Sequence, residues 1–279
     1  MAVTQTCEQG HVTLWVSWSR LRSHNECKRK GSLQRAGKVR EINNARGFFP
    51  GTVTDRVVTD WLNNEPEKNP GMMPHMVNDW IDKAKTDLKE QEGRDVVWKS
   101  KVDRDEVRAD CIQAVTRIEL DLNEFVLPYD YQPDFRFKAP LMMPSPDGAM
   151  DLAVINGAMD ILVRRPNGRF CVYDVKMTRD NDYWKKTVGQ LDFYSLATQI
   201  MFGEPALFTA LLQPMCDKRV FEWGTPTAQL GRLMQSVQNY AWDVWSNDFP
   251  LAPNRKPCYD CDVKHACSRF KPVNGRLAF

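Results

Sequence analysis

Two aspartates and a lysine stand at a spacing that a hairpin would bring together. Gly157-Ala-Met-Asp160 leads into an apolar run, then Arg165-Pro166-Asn167-Gly168, then Tyr173-Asp174-Val175-Lys176. Pro at the second turn position and Gly at its end suit a type I turn closed by a glycine bulge, the common three-residue hairpin. Such a turn sets Arg165 opposite Arg169, and counting back along the ladder sets Asp160 opposite Asp174. Side chains alternate along a strand, so Lys176 shares the Asp174 face. Two carboxylates and an ammonium then converge on one patch. Neighbouring carboxylates repel, and a cation offsets that cost. An exposed hairpin face with an ion pair would account for a lone Asp-x-Lys. The opposed Asp160 argues for a site instead, as do Gln190 and Tyr194, which lie four apart and so on one helix face.

The pattern Gly-x-x-Asp, Asp-x-Lys, then Gln-x-x-x-Tyr resembles the PD-(D/E)XK nuclease superfamily, and within it the RecB-like branch. The resemblance implies that Asp160 and Asp174 bind Mg²⁺ or Mn²⁺, with the Val175 carbonyl assisting. It implies that Lys176 positions and activates the attacking water, and that Gln190 and Tyr194 orient Lys176 or contact the nucleic-acid strand. That chemistry is coherent. Phosphodiester hydrolysis needs a metal that polarises the phosphoryl oxygen and lowers the pKa of water, and a cation for the charge that develops.

The remaining elements must position these residues. Ser17 or Ser19 can cap a helix through about Gln34. Gly51-Thr-Val-Thr-Asp55 begins a second helix with Val57, Val58, Trp61 and Leu62 as its apolar stripe. The family places a His where Asp55 stands. An Asp is a hard oxygen donor that can serve as a further metal ligand, or it can simply sit in a first helical turn. Two helices are expected over 75–92 and 104–126, within a helical insert spanning 56–130. A hairpin follows over 135–155 around Ser145-Pro-Asp-Gly148, and Gly157 is expected to bend the chain into the next strand. A helix over 182–201 carries Gln190 and Tyr194, a buried strand lies at 207–212, and a helix runs over 226–246.

The cysteines form a second constellation. Cys258-x₂-Cys261-x₅-Cys267 is close enough in sequence to hold a metal. The fourth ligand could be His265, giving a local zinc knuckle, or Cys27 from the other end of the chain. The latter arrangement resembles the RecB-like nucleases with an iron–sulfur staple, among them AddB-type nucleases and the CRISPR-associated family four exonucleases. That resemblance implies a 4Fe–4S cluster on Cys27, Cys258, Cys261 and Cys267, with zinc as the alternative.

Composition sets outer bounds. The chain has 279 residues, 42% hydrophobic and 27% charged, as in an ordinary soluble globular protein. No apolar run approaches the roughly 18 residues of a membrane span, and no secretory signal is visible, so a cytoplasmic, reducing setting is expected. Eight Cys in such a chain point to metal or buried thiols and away from disulfides. A net charge of +2 does not argue for nucleic acid, although Arg20–Arg40 carries eight Lys/Arg against Glu26 alone.

The expected fold is a single α/β domain over 1–279: a restriction-endonuclease-like mixed sheet flanked by helices, with the helical insert and a metal-stapled segment at 253–279. The expected activity is Mg²⁺- or Mn²⁺-dependent DNA hydrolysis, exonucleolytic in preference to endonucleolytic, on single strands or duplex ends. A non-catalytic DNA-binding module of the same fold, or a hydrolase directed at RNA or nucleotides, are the rival readings.

Overall fold

The computed structural model describes residues 13–36, 47–64 and 68–248, with Cys267 and the pairs 272–273 and 276–277. In chain order the elements are β1 (Leu14–Val16), α1 (Trp18–Glu26), α2 (Lys28–Arg35), α3 (Phe49–Asn64), α4 (Met72–Glu92), α5 (Lys101–Phe125), β2 (Asp130–Pro144), β3 (Met150–Arg164), β4 (Phe170–Val175), α6 (Trp184–Phe202), β5 (Phe208–Leu212), β6 (Val220–Trp223) and α7 (Thr227–Trp245), followed by the short strands β7 (Pro272–Val273) and β8 (Arg276–Leu277). The main sheet is mixed. Its order is β1-β3-β4-β5-β6, with β2 paired to β3. β3–β4 and β5–β6 are antiparallel, while β1–β3 and β4–β5 are parallel. Among the described residues no helix is long and apolar enough to cross a membrane.

The chain forms two compact units, each assembled from segments distant in sequence. The larger comprises Ile42–Arg136 and Ala158–Thr225. Its core gathers the apolar faces of α3, α4 and α5, with Trp61, Ile118 and Leu122 fully buried, against Ile161 and Val163 of β3, Cys171 and Tyr173 of β4, and Ala210 and Leu212 of β5. α5 starts where the Ser100 hydroxyl accepts the Asp103 N–H at 3.1 Å while the Asp103 carboxylate accepts the Lys99 N–H at 3.0 Å. These bonds satisfy orphan donors at the helix start. The helical layer begins earlier than expected, at Phe49, and ends at Phe125; residues 130–136 already belong to β2.

The smaller unit comprises Met1–Glu41, Phe137–Gly157 and Pro226–Phe279. Here β1 pairs with β3, Trp15 opposite Val154. The expected N-terminal helix is broken in two at Cys27, whose backbone is extended (φ −166°, ψ 115°). Both short helices are tied to α7. His24 Nε2 lies 2.9 Å from an Asp243 carboxylate oxygen, Lys28 Nζ pairs with the same carboxylate at 2.8 Å, and Asn25 donates to Ser236 at 2.8 Å.

β3 runs unbroken through Gly157, so this glycine does not bend the chain. It is needed for close approach: a Cβ there would lie 2.8 Å from Cζ of Phe137, a side chain only 3% exposed. Gly157→Ala should therefore overpack this contact and cost about 1–3 kcal/mol in chemical denaturation. Adding Phe137→Leu should recover part of that loss, and strictly additive losses would contradict the contact as its cause.

Candidate active site

The turn residues act as their chemistry dictates. Gly168 takes φ +81°, its N–H donates to the Arg165 carbonyl at 2.9 Å, and Arg165 N–H donates to the Arg169 carbonyl at 2.8 Å. The ladder pairs Arg164 with Phe170 and Ile161 with Tyr173. One step further, that register sets Asp160 against Asp174. β4 lies between β3 and β5, so Asp174 has no exposed surface.

Asp160 accepts the Val175 backbone N–H at 2.7 Å. Lys176 Nζ lies 2.5 Å from one Asp174 oxygen. The other Asp174 oxygen accepts from Tyr194 Oη at 3.3 Å and, more weakly, from Gln190 Nε2 at 3.4 Å; Gln190 Nε2 also donates to Tyr194 Oη at 2.6 Å. The helix-face argument thus holds, but the partner differs from expectation. Gln190 and Tyr194 hold Asp174 rather than Lys176, because the buried carboxylate has the unmet acceptor capacity.

Asp160, Val175 and Lys176 line a cavity of about 520 Å³, together with Asp55 of α3, Asp110 of α5 and Arg179 beyond β4. Its electrostatics follow from crowding of like charge. Burial pushes the Asp160 carboxyl well above the usual carboxylate range, with the Asp174 charge adding to the shift against Lys176. Asp55 is also raised, by desolvation in the cavity and by Asp134 and Asp174, against Arg56 and Lys176. Burial alone would lower Lys176, but Asp174 and Asp160 reverse that, and its pKa is raised. Burial, then Asp174 and Asp160, keep the Tyr194 phenol protonated.

These acids offer hard oxygen donors and too little positive charge to match them, which fits Mg²⁺ or Mn²⁺. The expected ligand set is not closed, however. Among the described residues no three His, Cys, Asp or Glu side chains form a group able to hold a metal. Asp55 lines the cavity two turns into α3, while Asp174 is turned to Lys176 and Asp160 to the Val175 N–H. Asp110 and Arg179, ion-paired at 2.7 Å, were not apparent from sequence. Their only signal is that Asp110 lies off the apolar stripe of α5.

Of the four cysteines, Cys27 is half-buried and Cys267 buried, both as free thiols in the smaller unit. Cys258, Cys261 and the rival ligand His265 lie outside the described residues.

A family model for the PD-(D/E)XK nuclease superfamily matches residues 16–268. No curated protein matches the sequence. Among solved structures, a Eubacterium rectale protein described as a "putative exonuclease" is 15% identical, covers 93% of this chain and 90% of its own, and superposes with a TM-score of 0.52. The protein SSO0001 is 13% identical over 90% of this chain and 92% of its own, with a TM-score of 0.35. At these identities the first likeness concerns the fold alone, and the second carries no argument.

The raised Asp160 carboxyl has a thermodynamic sign. The folded state holds this proton more tightly than the unfolded state, whose reference value is 3.8. Stability is therefore lost as pH rises above that value and through the raised one. In EDTA near neutral pH, Asp160→Asn should raise Tm by about 2–4 °C, roughly 1 kcal/mol for a chain of this size. The gain should shrink toward zero when the melt is repeated near the reference value. A Tm lowered by the substitution at neutral pH would contradict this account.

Proposed function

Because the chain belongs to the PD-(D/E)XK nuclease superfamily, we propose that it is a metal-dependent deoxyribonuclease that attacks single strands or duplex ends as an exonuclease. The observation that carries this reading is that Asp160 and Lys176 line one cavity, with the buried Asp174 paired to Lys176 at 2.5 Å and Asp160 bonded to the Val175 N–H at 2.7 Å. Asp160, Asp174 and the Val175 carbonyl, with Asp55 contributing from α3, would hold Mg²⁺ or Mn²⁺. That ion supplies polarisation of the phosphoryl oxygen and a more acidic water.

The protein's own groups supply the rest. Asp174 and Asp160 raise the pKa of Lys176 and so favour its ammonium form. It donates hydrogen bonds and offsets charge developing on the phosphoryl group. Gln190 and Tyr194 are positioning residues that hold the Asp174 carboxylate. The exonuclease mode is in keeping with the description of the Eubacterium rectale neighbour and extends beyond the family assignment.

With Mn²⁺ present, wild-type protein should degrade end-labelled linear DNA and leave circular single-stranded DNA intact. Asp174→Asn and Lys176→Gln should each lower kcat by about 10²–10³-fold, the scale of losing one transition-state donor. Wild-type turnover in either variant would remove that residue from the mechanism. Cutting of the circle would make the enzyme an endonuclease.

We further propose that Cys27, Cys258, Cys261 and Cys267 hold a 4Fe–4S cluster, with zinc on the same cysteines or His265 as the rival. The bonds from His24, Asn25 and Lys28 to α7 support this, since they tie the chain around Cys27 to its C-terminal part. Anaerobically purified protein should contain iron and sulfide and absorb broadly near about 400 nm, and Cys27→Ser should bleach it and lower Tm. One zinc per chain without iron would replace the cluster and leave the nuclease reading standing.

A further inference from the structure

The larger unit holds a second cavity, of about 670 Å³, that shares Arg179 and Met215 with the first. The two differ in sign. The first presents Asp55, Asp110 and Asp160 against Lys176 and Arg179. The second presents Arg117, Arg179 and Arg219 against Asp217. One face of α5 serves both: Asp110 lines the first, and Gln113, Arg117 and Leu120 line the second at helical spacing. At 1.5 Å per residue, Arg117 stands about 10 Å along the helix from Asp110.

The three guanidiniums are anchored. Arg117 donates to the Pro214 carbonyl at 2.7 Å. Arg219 pairs with the buried Asp121 at 3.2 Å and reaches the Arg117 carbonyl at 3.4 Å. Arg179 is held by Asp110 at the junction of the two cavities. A guanidinium carries five N–H donors, and these anchors use one or two of each. Groups held this way lose little further freedom on binding an anion, and their planar forks match phosphate.

A nucleic-acid strand entering the acidic cavity presents several phosphates and not one. The acids there serve the phosphate being cut and repel its neighbours, which need cations from the protein. We propose that the Arg117–Arg179–Arg219 cavity is a phosphate-binding subsite for a single DNA strand, on one side of the bond that is cut. The two cavities share Arg179 and Met215, so a strand can pass from one to the other. The proposal rests on the nuclease reading of the first cavity and adds the track along which its substrate lies. It also gives Asp110 a role, as the group that parks Arg179 between the two cavities.

The test is fluorescence anisotropy of a labelled oligothymidylate over a range of salt, with EDTA present to hold off turnover. Arg117→Gln should weaken binding about tenfold and lower the log–log salt slope by about 0.7, the loss of one phosphate contact on a single strand. Arg117→Lys should keep the slope. Asp217→Asn removes the one acid of the cavity and should tighten binding several-fold, a change of sign that misfolding cannot produce. Unchanged affinity and slope in Arg117→Gln would overturn the subsite, as would weaker binding at an unchanged slope, which marks a folding defect. Cleavage of the same oligonucleotide by wild-type protein with Mn²⁺ reports separately on the nuclease reading. Binding that follows Arg117 and Asp217 without any cleavage would sink that reading alone, and cleavage with binding indifferent to both residues would sink the subsite alone.

Discussion

A carboxylate with no exposed surface, Asp174, is the constraint around which the larger unit is arranged. An isolated charge in such a place is too costly to keep, so it must be paired and hydrogen-bonded or neutralised. Lys176 supplies the charge from just beyond the end of β4, and α6 supplies Gln190 and Tyr194 from the helix packed on β4 and β5. The same surroundings favour the charged form of the lysine and the neutral form of the phenol.

Asp160 is held differently. Its anchor is a single backbone N–H, and Asp174 and Asp55 act on it against Lys176. The protein thus keeps one carboxylate satisfied and a second at a disadvantage. Stability is surrendered at the position where a cation would return it, which is the usual relation between a strained site and its ligand. In the neighbouring arginine cavity, Asp110 and Asp121 of α5 pair with Arg179 and Arg219.

How much of this was legible in the sequence depended on range. The Asp160–Asp174 register followed from four turn residues, because Pro166 and Gly168 fix the hairpin type and strand period does the rest. The helices carrying Gln190 and the α5 stripe were visible from spacing alone. Contacts between segments far apart in sequence were not. Nothing local told that Gln190 and Tyr194 would turn to Asp174, that Phe137 would press on Gly157, or that Arg117 and Arg219 would share a cavity. Asp55 shows the intermediate case. Its helix was foreseen, but α3 starts at Phe49, so the residue sits two turns inside and lines the cavity without completing a three-acid group.

The two units also close over very different lengths of chain. Asp160 meets the Val175 N–H across 15 residues and Asp174 meets Tyr194 across 20, whereas His24 and Asp243 are 219 residues apart. By the logarithmic growth of closure entropy, the longest of these loops costs about 2 kcal/mol more to close than the shortest. The paired acids can therefore come together as soon as their hairpin has formed. The link from α1 to α7 has to wait until Asp243 has been made, so during synthesis it can form only after the chemistry-bearing hairpin is complete.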